Sequence, residues 1–219
     1  MLVKQHMRYN NRSLSSLFRM WNDNASWGRY LLGIDCPFEL PTFADLPRMH
    51  ELLIAWDSWR GDDVIPLRSE VKLFDIDNFL SHTMLFDMEV PDRIHCRYVG
   101  SVFHEIYGHD FTDQNYLDVT ASRHRSIRAQ RLFSAANQPC IAVWAAEGEQ
   151  KHGGLPSSTG ASLPVRPTDP DKPMQLMHVV VQLGEIAFSE LAHREKRDNV
   201  KLSDRFSLVD IGAGVPEVL

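Results

Sequence analysis

Thr83 to Asp110 reads TMLFDMEVPDRIHCRYVGSVFHEIYGHD, and this stretch decides the fold. Across residues 84–90 the apolar side chains Met84, Phe86, Met88 and Val90 fall on every second position, opposite Leu85, Asp87 and Glu89. Residues 93–99 repeat the pattern, with Ile94, Cys96 and Tyr98 on one face and Arg93, His95 and Arg97 on the other. A period of two marks strands with one buried face, and Pro91-Asp92 supplies a turn, so an antiparallel hairpin buried on one side is expected. Gly100-Ser101 then breaks the strand. Ser101 is the expected N-cap of a short helix that Gly108 ends.

Upstream of the hairpin, residues 45–61 form the clearest helical pattern. Asp45 is the expected cap, Pro47 lies in the first turn, and Leu46, Met49, Leu52, Leu53, Trp56 and Trp59 make one stripe before Gly61. Residues 62–82 are irregular, with a helical turn at 75–80. Downstream, 111–120 reads as polar loop. Residues 122–136 are a second long helix capped by Ser122, with Ala129, Leu132, Phe133 and Ala136 as its buried stripe. Apolar strands follow at 139–146, near 161–166 and at 174–183, separated by the Gly/Ser/Pro loop 151–160 and the tight connection 167–173. A charged stretch, 190–204, precedes one more strand-like piece at 205–211. The order predicts an α+β domain with a five-stranded antiparallel sheet over 46–189. Residues 1–45 are an N-terminal extension with Leu14, Leu17, Phe18 and Trp21 at helical spacing, and 190–219 are a charged linker and tail.

The chain has 219 residues, 43% hydrophobic and 24% charged, which suits a globular protein with a real core. A formal net charge of −6 argues against non-specific nucleic-acid binding, which needs a basic surface. Three scattered cysteines, Cys36, Cys96 and Cys140, make neither a disulfide framework nor a zinc site. The first residues hold no apolar leader and no later run approaches a membrane span, so the expected location is cytoplasmic.

Reactive motifs fail on spacing. His104 and His109 lie five apart, roughly 140° around a helix, whereas the zinc-binding HExxH pair shares one face. The only histidine on the second long helix, His124, projects away from the buried stripe, so a haem ligand there would face solvent. Arg123, His124, Arg128 and Arg131 gather on that outward face, where they read as a solvated surface able to meet an anion or an acidic partner. Residues 151–160 lack the Gly-Lys-Ser/Thr of a phosphate loop, and there is no Gly-x-Ser-x-Gly elbow. No enzyme is expected, and no cofactor is assigned.

Several short motifs recur in a fixed order: Trp59-Arg60-Gly61, Pro66-Leu67-Arg68-Ser69, Asp87-Met88-Glu89, Arg97-Tyr98-Val99-Gly100-Ser101, Tyr107-Gly108-His109-Asp110 and Leu163-Pro164-Val165. In this the chain resembles a bacterial family of stand-alone PAS-type proteins, from about Leu46 to about Gly214. The resemblance implies a PAS-like sheet flanked by helices, to which the helix-spaced extension outside it adds an N-terminal helix. It implies a sensory or regulatory role in signal transduction without an output domain of its own, and no catalytic residues. The expected ligand site lies between the sheet and the second long helix, formed by Met84, Phe86, Met88, Arg97, Tyr98, Tyr107 and Leu132. The rival reading is a dimerisation and protein-interaction module with a filled core, and the third a haem- or metal-binding sensor. A homodimer through the extension or the 45–61 helix is expected, since so much aromatic surface needs covering.

Overall fold

The computed structural model describes residues 35–147, 157–184, 203 and 205–217. The expected helix around Leu14–Trp21 and most of the 151–160 and 190–204 segments lie outside the described residues. One antiparallel sheet carries the domain. It is built from β1 (Thr83–Val90), β2 (Arg93–Val99), β3 (Ile141–Ala146), β4 (Ser158–Val165), β5 (Gln175–Leu183) and β6 (Arg205–Val209) in the order β2-β1-β5-β4-β3-β6. Among the described residues three helices accompany it: α1 (Pro47–Arg60), α2 (Ser101–Tyr107) and α3 (Arg125–Asn137). Short 3-10 segments span Arg68–Glu70, Leu73–His82 and Ser122–His124.

The α+β class holds, with six strands among the described residues where the sequence predicts five. The added one is the strand-like tail: Val209 pairs with Ile141 and Phe206 with Trp144, so the tail closes the β3 edge of the sheet.

The hairpin forms as expected, but its burial is two-sided along β1. Met84, Phe86 and Met88 enter a core shared with α2 and α3, while Leu85 enters a second core on the opposite face. That second core belongs to α1. Met49, Leu52, Leu53, Trp56 and Trp59 pack there against Val143, Leu163, Val179 and Val209. Trp56 is fully buried and donates its indole N–H to the Pro164 carbonyl at 3.1 Å, which pins α1 to β4. The one-sided reading failed because α1, distant in sequence, covers the face that alternation leaves polar only at Asp87 and Glu89.

The helix caps also differ from expectation. Leu46, not Asp45, is the α1 N-cap, and Asp45 Oδ1 lies 2.7 Å from His50 Nε2. Gly100, not Ser101, caps α2, and its amide donates to the Thr83 carbonyl at 2.9 Å. A side chain at Gly100 would strike the Leu80 and Ser81 backbone, so a close approach dictates this glycine. Ser122 opens a 3-10 turn, and α3 proper starts at Arg125. Gly108 ends α2 in the left-handed region at φ 74°, as expected.

Candidate functional site

The site is built on the inner face of the sheet, under α3. On β5 the alternation of Leu176, His178 and Val180 places a histidine among apolar neighbours, opposite Met84 of β1 and Ser162 of β4. On β3 the inward residue is Trp144, which pairs in register with Gly160. A Cβ at Gly160 would collide with the indole, so glycine there lets the Trp144 ring lie over β4 toward His178 on β5. The two rings stack, 4.9 Å between centroids and 10° apart. His178 Nδ1 is 2.7 Å from Ser162 Oγ. Burial, assisted by the nearby charge of Arg128, pulls the His178 pKa down to about 3, so the imidazole is neutral at physiological pH.

Arg128 comes down onto this face from α3. It is buried, its Nη1 donates to Thr120 Oγ1 at 3.0 Å, and its guanidinium carbon lies 5.1 Å from the Tyr116 ring centre. Thr120 Oγ1 in turn donates to the Tyr116 carbonyl at 3.1 Å. Tyr116 stacks on Phe86 at 4.6 Å. Burial raises the phenol pKa of Tyr107 and of Tyr116, and the Arg128 charge partly offsets both shifts. One cation, two tyrosines, a serine and a neutral histidine therefore converge within an otherwise apolar layer.

Of the residues expected at this site, Met84, Phe86, Met88, Tyr107 and Leu132 share the core cluster beneath α3. Arg97 and Tyr98 do not. Phe86 pairs with Cys96 but Leu85 with Tyr98, so Arg97 is an extra residue, a bulge that shifts the inward–outward phase of β2 by one position. Val99 replaces Tyr98 as the inward residue. Tyr98 is 42% exposed and donates its hydroxyl to the Leu80 carbonyl at 3.0 Å. Arg97 keeps a half-exposed side chain and donates through Nε to Asp87 Oδ2 at 2.8 Å. The buried partner is the carboxylate: Asp87 also accepts from Gln175 Nε2 at 2.7 Å.

Arg128 corrects a second expectation. It stands with Leu132 and Ala135 at i, i+4 and i+7 on the buried side of α3, not on a solvated face with Arg123. Arg131 is half-buried, its guanidinium carbon 4.4 Å from the Phe206 ring centre and its Nη1 donating to Ser203 at 3.1 Å. His124 ends the preceding 3-10 turn, where its Nε2 accepts from Arg123 Nε at 3.0 Å. His104 Nε2 lies 3.1 Å from Asp110 Oδ1, and His109 Nδ1 lies 3.0 Å from the Tyr107 carbonyl. Among the described residues no three His, Cys, Asp or Glu side chains are grouped to hold a metal ion.

Sequence reasoning named Arg128 but put it on the outward face of α3, and it missed His178, Trp144, Tyr116 and Ser162. The available signal was His178 in phase with Leu176 and Val180, a polar residue on the apolar side of a strand. A separate open groove of about 1160 Å³ runs along α3, lined by Leu117, Ala129, Phe133 and Pro216 among others.

The family model of the PAS domain matches residues 45–171, more than half of the 219-residue chain. No curated protein and no solved structure matches it.

Proposed function

Because the chain belongs to the PAS domain family, whose members are sensory, regulatory or interaction modules, we propose that it is a cytoplasmic sensor binding a small molecule between β1, β5 and α3. The observation that carries this reading is the convergence of Arg128, Tyr116, Tyr107 and His178 inside an apolar core. Burying such groups costs stability, and apolar residues of equal volume would pack at lower cost. An apolar lining with a few convergent polar groups is what small-molecule sites have in common. Met84, Met88 and Leu132 form adaptable walls, the thioethers most of all. Ligand contact at Arg128 would act on α3, and contact at His178 on the centre of the sheet. No bond-making step is assigned. Among the described residues no helix is long and apolar enough to cross a membrane.

The test is thermal melting of the full chain before and after ligand stripping by unfolding, dialysis and refolding. A ligand that binds only the folded state raises its stability by mass action. Stripped protein should melt lower and recover with a low-molecular-weight cell extract; identical melting in all three states would sink the reading.

The second reading, an interaction module, is favoured by a separate observation. Phe74 is 86% exposed, beside Leu73 at 47%, on the 3-10 segment that follows α1. A homodimer that covers this patch is the form we propose, as cyclic pairing is the commonest oligomer.

A further inference from the structure

The groove along α3 has a built frame. Asn115 donates through Nδ2 to the Asp92 carbonyl at 2.9 Å and accepts through Oδ1 from the Ile94 and Leu117 amides at 3.0 and 3.2 Å, which locks the β1–β2 turn to the 115–118 loop. Gln138 Nε2 donates to the Ala213 carbonyl at 3.2 Å and holds the tail that brings Pro216 to the wall. The floor is apolar at Leu117, Ala129 and Phe133. Along α3, Ser126, Gln130, Ser134 and Asn137 form one row about 16 Å long, and among the described residues their side chains make no hydrogen bond. Asp92 and Asp118 also line the groove, and among the described residues neither carboxylate has a cation partner. Arg125, the cation of the lining, gives its guanidinium to two carbonyls, of Thr120 at 3.1 Å and of Asp118 at 3.3 Å. The groove therefore offers an apolar floor, free amides and hydroxyls, and an excess of negative charge.

Residues 1–21, which lie outside the described residues, have the matching chemistry. They hold Lys4, Arg8, Arg12 and Arg19 and no Asp or Glu, in a chain of net charge −6, with Val3, Met7, Leu14, Leu17 and Phe18 among the cations. We propose that this segment seats in the α3 groove of its own domain, its cations toward Asp92 and Asp118 and its apolar side chains on Leu117, Ala129 and Phe133. Opposite charge selects the segment, and burial of apolar surface holds it. Extended, Lys4 to Arg8 covers about 13 Å, within the length of the polar row on α3. Residues 22–34 extended span up to about 45 Å, as far as a domain of this size is wide, so the segment can reach the groove without leaving its own chain. On its other side α3 turns Leu132 into the core, so an occupied groove bears on the helix that covers the candidate site.

The probe is a fluorescein-labelled peptide of residues 1–21, followed by anisotropy against three full-length proteins. In the unaltered chain the tethered segment holds the groove at about millimolar effective concentration, so added peptide should bind weakly. A chain carrying Lys4→Glu, Arg8→Glu, Arg12→Glu and Arg19→Glu leaves the groove open, and the peptide should bind it about tenfold more tightly. Adding Asp92→Asn and Asp118→Asn to that chain should weaken the peptide about tenfold, since two exposed pairs are lost. Spectra of 15N-labelled protein locate the contact. Charge reversal of the segment should move the amides of Leu117, Ser126, Gln130 and Ser134 and leave that of Phe74 in place. Asp92→Asn with Asp118→Asn in the otherwise unaltered chain should move Gln130 and Ser134 as well, and this carries the test alone if the fourfold variant fails to fold. Equal peptide binding to all three proteins, or amide changes confined to other surfaces, would overturn the proposal. So would a sedimenting dimer that charge reversal splits, since the segment would then sit on a second copy. Ligand stripping tests the sensor reading separately, and its outcome is independent of these results.

Discussion

At the scale of single residues, His178 is neutral inside the fold and protonatable once unfolded. Its pKa is pulled from the ordinary value of 6.5 to about 3, by burial first and Arg128 second. Between those values the unfolded chain binds the extra proton, so this residue makes stability fall as pH drops through that window and leaves it unaffected above 6.5. Ser162, Trp144, Tyr116 and Arg128 are the polar and aromatic groups that face it. At about pH 5 the loss should be about 2 kcal/mol. His178→Gln should flatten the acid limb of a melting-temperature profile; an unchanged limb would show that His178 is not buried neutral. Asp87 gives a second test. Arg97→Ala strands a carboxylate that is 3% exposed and retains only Gln175, so urea unfolding should report a loss of about 1–3 kcal/mol. A change within error would mean water replaces Arg97 without penalty.

Elements show how a local rule succeeds and where it stops. The β1–β2 hairpin was legible because alternation and a two-residue turn are local properties, and both survive in the fold. The bulge at Arg97 was not legible, because it leaves the residue types unchanged and shifts only their phase; Tyr98 thereby exchanges places with Val99. The buried side of α3 was drawn from its apolar residues alone. Arg128 borders that stripe and is held inside by Thr120 and the Tyr116 ring, partners no helical periodicity announces. The α1 stripe was read correctly, and its anchor can be tested. Trp56 is fully buried and hydrogen-bonded to Pro164, so Trp56→Ala should cost about 3–5 kcal/mol. Unaltered denaturation would remove α1 from the core. Gly160→Ala would force a Cβ into the Trp144 ring and the Val179 carbonyl, and should cost about 1–3 kcal/mol. Circular dichroism melts would detect that loss, and a neutral result would contradict the placement of the indole.

On the scale of the whole molecule, one sheet separates two cores. Both sides bury polar residues: His50 on α1 and the Asp87–Gln175 pair on the sheet face toward α1, and the group around Arg128 and His178 on the α3 side. The order of elements disclosed this architecture in sequence, along with the apolar half of the candidate site. Its polar half was hidden, because Arg128, Ser162, Trp144 and His178 come from separate segments and meet only when α3 is laid across β3, β4 and β5. The tail strand and the exposed Phe74 belong to this scale too. Phe74→Ser should shift a sedimenting dimer toward monomer without lowering the melting temperature; an unmoved dimer would place the interface elsewhere. The most direct test of the central claim is native mass spectrometry of the full chain as purified. The account predicts a mass excess of one small molecule per chain, released on collisional activation. Spectra that hold only whole multiples of the bare chain would contradict it.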